Sequence, residues 1–132
     1  MIVKELLALA ERVEAATTPD RALDAAIWLH LPEQGGHDWK CGGDRLAHAF
    51  KISGASFIPF YTRSLDAAMT LVPNGLWFEV EGRAKFGYSA TVGNIASGEI
   101  SSDEIVARTP ALAVAAASLR ARAAMTEAES DA

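Results

Sequence analysis

The apolar positions along the chain predict two helices at its start. Between Ile2 and Ala16 the apolar residues recur at steps of three and four, and charged residues fill the positions between them, as on an amphipathic helix. A second helix is expected to have Thr18 as its N-cap and Pro19 as its first residue, and to stop before Pro32. Because few residues join the two helices, we expect them to pack as an antiparallel hairpin.

An antiparallel pair of strands is predicted in the second half of the chain. Residues Leu76 to Glu81 alternate between apolar and polar side chains, and so do Lys85 to Val92, which is the period of a β-strand. Gly82-Arg83 is the expected turn between the two strands. A short third strand within Gly98 to Val106 would extend the sheet.

Two more helices flank these strands in the sequence. One is expected over Leu65 to Val72, with Thr62 or Ser64 as its N-cap. The other begins at Thr109-Pro110 and continues to about Met125. Most of this last helix is alanine and leucine, so we expect it to be buried on most sides against the sheet. Any surplus of its apolar surface would allow a homodimer.

Length and composition limit the class of protein. The chain of 132 residues is long enough for one domain, expected over residues 1–125, with 126–132 as a frayed acidic tail. Half of the residues are hydrophobic, which argues against wholesale disorder. The net charge of −5 argues against general nucleic-acid binding. No apolar stretch is long enough to predict a membrane span, and the single cysteine is typical of a reducing cytoplasm.

Three segments of the chain have a distinctive composition and order. They are PDRALDAAI (Pro19 to Ile27), YTRSLDAAMTLVP (Tyr61 to Pro73) and TPALAVAAASLRARA (Thr109 to Ala123). Together they resemble the phage ABA-sandwich domain family. The resemblance implies an α/β fold of the α+β type, a three-layer α/β/α sandwich in which helices cover a small sheet, in a protein encoded by phages or prophages. It supplies no catalytic residue, because no biochemical activity is established for that family.

The middle of the chain, residues 32–60, does not follow that family pattern and carries the candidate chemistry. Imidazole and thiolate ligate zinc, so His37, Cys41 and His48 form a metal hypothesis, although their spacing fits no standard zinc motif. Two glycine pairs in the same loop could cradle a phosphate, but no P-loop ending follows them. An ordinary connecting loop is the default interpretation of these residues. A nucleotide- or metal-binding protein, with or without enzymatic activity, that uses loop 35–48 is the alternative to the protein-binding hypothesis given below.

The same region is mildly basic within an acidic chain. Residues 37–63 contain four basic residues and two aspartates, so this segment carries +2 and the remainder −7. An aromatic residue beside a lysine in a loop is a common binding anchor. The candidate binding residues are Trp39, Lys40, Arg45, Lys51 and Arg63.

The sequence contains no recognisable catalytic or cofactor motif, and no cofactor is predicted. Its small size and acidity favour a non-enzymatic module that binds a protein in the host cytoplasm. This is the first functional hypothesis, with the partner left open.

Overall fold

In the computed structural model of the protein, residues 2–34, 51–83, 87–94 and 104–131 are described. They form helices and a three-stranded antiparallel sheet, so the chain belongs to the α+β class, as predicted. In chain order the elements are α1 (Ile2–Ala15), α2 (Arg21–Leu29), a short 3₁₀ helix (Pro32–Gln34), α3 (Leu65–Met69), β1 (Leu76–Arg83), β2 (Gly87–Asn94), β3 (Ile105–Ala107) and α4 (Pro110–Asp131).

The sheet has the order β1-β2-β3, and each strand is antiparallel to its neighbour. The register of β1 and β2 continues without interruption until Arg83 lies opposite Gly87. The prediction that Gly82-Arg83 forms the turn is therefore wrong, because both residues are paired within the strand. Gly82 instead leaves room for the ring of Tyr88 opposite it, which a β-carbon would meet at 3.4 Å.

The two faces of the sheet have different surroundings. On one face Phe78, Val80, Ala90, Val92 and Ile105 pack into the core, which α4 covers. The opposite face is exposed at three of its side chains, Glu79, Glu81 and Val106. Ser89, on the same face, is buried. The second helical layer implied by the family resemblance stays a prediction.

Helix α4 is the centre of the fold. Every residue from Ala111 to Leu119 is buried, as the uncharged sequence predicts. Its contacts extend to α1, α3 and all three strands. The homodimer expectation stays a prediction. The helix also continues to Asp131, beyond the predicted end near Met125.

Helix α1 packs mainly on α4 and has few contacts with α2. The expected α1–α2 hairpin is therefore not the principal helix contact. The apolar side of α1, which includes Leu6 and Val13, is buried in the core shared with α4. A salt bridge of 2.6 Å between Arg120 Nε and Glu14 Oε2 joins the two helices. The continuous apolar surface of α4 offers α1 more area than the short helix α2 does.

The helix N-caps differ in part from the predictions. Helix α2 begins at Arg21, and its N-cap is Asp20 rather than Thr18. The Asp20 carboxylate accepts hydrogen bonds from the backbone N–H groups of Ala22 and Leu23, and these bonds satisfy donors that a helix leaves free at its start.

The other two predicted caps are present. Ser64 caps α3 by accepting a hydrogen bond from the Ala67 N–H, and α3 ends at Met69 rather than at Val72. Thr109 caps α4 in the same way, with the Leu112 N–H as donor.

Candidate functional site

Arg21 holds the segment 55–60 against the start of α2. Its guanidinium donates to the backbone carbonyls of Ala55 at 2.9 Å and Pro59 at 3.3 Å. It also lies 4.0 Å from the centre of the Phe60 ring, a cation–π contact. One arginine can serve all these partners because its planar guanidinium carries five N–H donors. The backbone of the segment is therefore fixed by a side chain that lies far from it in sequence.

Asp24, on the next turn of α2, is the buried anchor of the same region. Its side chain is only 1% exposed. One carboxylate oxygen accepts hydrogen bonds from both the N–H and the hydroxyl of Thr62, each at 2.8 Å. The other oxygen accepts from Arg21 at 3.0 Å.

Burial raises the pKa of Asp24 above its ordinary value, and the hydrogen bonds from Thr62 and Arg21 oppose that rise. Because both oxygens are already bonded within the chain, Asp24 acts as a structural anchor for Thr62 and leaves no free carboxylate for catalysis.

Two phenylalanines of this segment are exposed. Phe57 is 56% exposed and Phe60 is 41% exposed. The Phe57 ring contacts Trp28 of α2, with ring centres 5.3 Å apart. The guanidinium carbon of Arg63 lies 5.9 Å from the centre of the Phe60 ring. Arg21, Phe57, Phe60 and Arg63 together are called the arginine–aromatic surface below.

A second set of hydrogen bonds lies beneath this surface. Trp28 donates its indole N–H to the backbone carbonyl of Gln34 at 3.0 Å, and the Tyr61 hydroxyl donates to the Gln34 side chain at 2.5 Å. Burial raises the pKa of Tyr61, so its hydroxyl keeps the proton that it donates. Gln34 also donates to Thr70, at the end of α3, at 3.4 Å. Gln34 is thereby joined to Trp28, which contacts Phe57, and to Tyr61, which follows Phe60 in the sequence.

A separate cleft lies between the 3₁₀ helix, the end of α3 and α4. Its volume is about 290 Å³, and its lining includes Glu33, Thr70, Asn74 and Arg122. Arg122 donates to the Leu71 carbonyl at 2.8 Å and forms a salt bridge of 2.8 Å with Glu33. Because Glu33 neutralises Arg122, the cleft offers no excess positive charge to an anion.

Two of the five predicted binding residues lie within the described ranges. Arg63 is exposed and joins the arginine–aromatic surface, as its prediction as a binding residue requires. Lys51 is also exposed, but among the described residues no hydrogen bond or ion pair connects it to that surface. The remaining predicted binding residues, Trp39, Lys40 and Arg45, lie outside the described residues.

The metal hypothesis on His37, Cys41 and His48 also concerns residues outside the described ranges, and so does the rest of loop 35–48. Within those ranges no group of three or more His, Cys, Asp or Glu side chains is arranged to hold a metal ion. In the same part of the chain, no helix combines the length and the apolar character needed to cross a membrane.

Phe57 and Phe60 are the functional candidates that sequence reasoning missed. The indication of an aromatic surface in the sequence is Ser56-Phe57-Ile58-Pro59-Phe60, where the two aromatic residues flank Ile58. Ile58 is fully buried. Since the segment has no regular period, the sequence does not indicate which of its apolar residues point outward.

Comparison of the chain with protein-family models, with curated proteins and with solved structures gives no match. The resemblance to the phage ABA-sandwich family therefore stays a prediction. The case for a function depends on the residues of the chain itself.

Proposed function

We propose that this protein is a small phage- or prophage-encoded accessory protein without enzymatic activity, which binds a protein in the host cytoplasm through its arginine–aromatic surface. The observation that carries the proposal is the exposure of Phe57 and Phe60 in one short segment, with Arg21 and Arg63 against the Phe60 ring. Aromatic residues and arginine are enriched at the centres of protein–protein interfaces, where a few such side chains supply most of the binding energy.

The backbone beneath these side chains supports the proposal. Single exposed apolar residues are ordinary on a protein surface. Phe57 and Phe60, however, lie within one short segment whose carbonyls are held by Arg21. A surface that is already fixed loses little conformational entropy when it binds, and this favours affinity.

Charge indicates the kind of partner surface. Residues 37–63 carry +2 in a chain whose net charge is −5, and Arg63 of that segment is exposed. A partner surface with an apolar pocket for the phenylalanine rings and carboxylates at its rim would complement this arrangement.

The proposed phage origin and the proposed location in the host cytoplasm are supported by different observations. The origin is supported by the resemblance of the segments Pro19 to Ile27, Tyr61 to Pro73 and Thr109 to Ala123 to one phage family. The compartment is supported by the single cysteine. Phage genes lie in clusters, so we expect the neighbouring genes in the source genome to be phage genes. A neighbourhood of unrelated housekeeping genes would contradict this part of the proposal.

Site-specific photocrosslinking tests the binding surface. The photoreactive residue p-benzoylphenylalanine replaces Phe57 in one variant and Met125 in the control, since both side chains are exposed. In cell lysate we expect one defined protein to be crosslinked from position 57 and not from position 125. A second variant, Phe60→Ser with Arg63→Glu, should abolish that crosslink. An identical set of products from both positions, or a crosslink that the second variant leaves intact, would overturn the proposal.

A further inference from the structure

Among the described residues, strand β1 lies at an edge of the sheet, and no strand pairs with its outer side. The sheet order is β1-β2-β3, so within these ranges β1 pairs with β2 only. Apart from the turn bond between Leu76 N–H and the Pro73 carbonyl, no described residue outside β2 forms a backbone hydrogen bond with it. The strand has eight residues, a length of about 26 Å at about 3.3 Å per residue. By contrast β3, at the other edge, has three residues.

Strand β1 lacks several of the features that usually block such an edge. Proteins protect exposed edges with charged side chains, lysine above all, and with proline, bulges or very short strands. The sequence of β1 is LWFEVEGR, which has charged residues but no proline or lysine. Its pairing from Leu76 opposite Asn94 to Arg83 opposite Gly87 contains no bulge. Among the described residues, the outer N–H and C=O groups of β1 therefore have no strand partner.

The side chains of β1 indicate what kind of strand would fit beside it. Leu76, Phe78 and Val80 pack against the core but are only half-buried, so an added strand with apolar residues on that face would cover their remaining area. Glu79 and Glu81 are exposed on the opposite face. Opposite charges on neighbouring strands stabilise the pair, and like charges destabilise it.

We propose that the outer edge of β1 binds an extended segment of a partner protein as a fourth strand, and that this segment alternates apolar and basic residues. The apolar residues lie beside Phe78 and Val80, and the lysines or arginines lie beside Glu79 and Glu81. A second copy of this chain fits poorly, because an antiparallel pair of β1 strands centred on Val80 places Glu79 opposite Glu81 of the other copy. The edge shares no residue with the arginine–aromatic surface, so each can fail without the other.

Peptide titration followed by NMR tests this proposal. The probes are three eight-residue peptides: alternating lysine and valine, alternating glutamate and valine, and the lysine peptide with proline at its centre. We expect the lysine peptide to bind and to slow amide exchange along β1, and the glutamate and proline peptides to bind at least about tenfold more weakly. The variant Glu79→Lys with Glu81→Lys should reverse the preference between the lysine and glutamate peptides.

The control variant is Glu11→Lys, which changes the charge at an exposed position of α1 and should leave the preference intact. Circular dichroism confirms that each variant folds. Three results would overturn the proposal: no binding of the lysine peptide at millimolar concentration, binding without slower exchange along β1, or a preference that Glu11→Lys abolishes equally. Sedimentation that shows a dimer unable to bind the peptide would assign the edge to a second copy and would also overturn it.

Discussion

Two regions of this molecule are stabilised by different kinds of contact. Around α4 the contacts are apolar, and every side chain from Ala111 to Leu119 is buried. Where the segment 55–64 meets α2, Ile58 and Tyr61 are buried as well, but hydrogen bonds to two charged residues, Arg21 and Asp24, fix the backbone. The apolar part determines whether the chain folds. The polar part determines whether the arginine–aromatic surface has a defined shape.

The largest effect is expected in the apolar part, at Leu112. Its side chain is fully buried in α4, and Leu112→Ala removes buried methyl groups and leaves a cavity. We expect a loss of about 3 kcal/mol in the free energy of unfolding. Urea unfolding followed by circular dichroism measures it. Amide exchange should become faster in both parts together, since their buried residues belong to one hydrophobic core. Protection that survives around Thr62 would contradict this coupling.

A smaller loss is expected in the polar part, at Asp24. Asp24→Ala leaves the Thr62 N–H buried without its acceptor and leaves the Thr62 hydroxyl only the more distant Asp20 carbonyl, at 3.3 Å. This costs about 2 kcal/mol. Amide exchange should become faster in residues 55–64 and change little in α4. If α4 loses protection to the same degree, the two parts are a single cooperative unit and the comparison is wrong.

The charge of Asp24 gives the same region a pH dependence. Because burial raises the pKa of Asp24 above the ordinary value of 3.8, ionisation is harder in the folded state than in the unfolded state. Its contribution to stability is fully present below pH 3.8 and is lost as the pH rises through the higher folded pKa. The stability of the wild type relative to Asp24→Asn should therefore fall over that range in urea unfolding. A relative stability that rises with pH would show that Thr62 and Arg21 outweigh the burial.

The smallest effect, with the opposite sign, is expected at Ser118 on α4. Its hydroxyl is buried and has no hydrogen-bond partner among the residues that the structure describes. Ser118→Ala removes that buried polar atom and improves helix propensity, so the free energy of unfolding should rise by roughly 0.5–1 kcal/mol. Thermal unfolding of the two proteins measures it. A loss of stability instead would mean that the hydroxyl has a partner in solution.

This difference between the two parts also explains what the sequence could predict. Helix α1 and the β1–β2 pair follow from the apolar period, because burial on one side sets the spacing of the apolar residues. Helix α4 follows from its alanine-rich sequence after Thr109-Pro110. The anchor on Asp24 does not, because its partner Thr62 is 38 positions away and no local pattern joins them.

The pairing of Gly82-Arg83 within β1 is local, but two other wrong predictions have a common cause. The cap at Asp20 and the docking of α1 on α4 each depend on a neighbour that is distant in sequence. For Asp20 that neighbour is again Thr62, whose hydroxyl accepts the Asp20 N–H at 2.9 Å. Local cues limited the candidates in each case, and tertiary contacts selected among them.

Only part of the candidate site could be predicted from the sequence, for the same reason. The local charge indicates Arg63, which lies beside Phe60. The exposure of Phe57 and Phe60 is set by Arg21, which holds the backbone of their segment from another helix. A surface built on such a contact becomes visible only when the fold is known.

The most direct measurement for the proposed binding function is the affinity for the protein crosslinked from position 57, determined by isothermal titration. Phe57→Ala with Phe60→Ala should weaken binding by at least about thirtyfold, since two aromatic anchors are lost. Met125→Ala, which removes an apolar side chain on α4 about as exposed as Phe60, should leave the affinity unchanged. Equal affinity for the wild type and the double phenylalanine variant would contradict the proposed function.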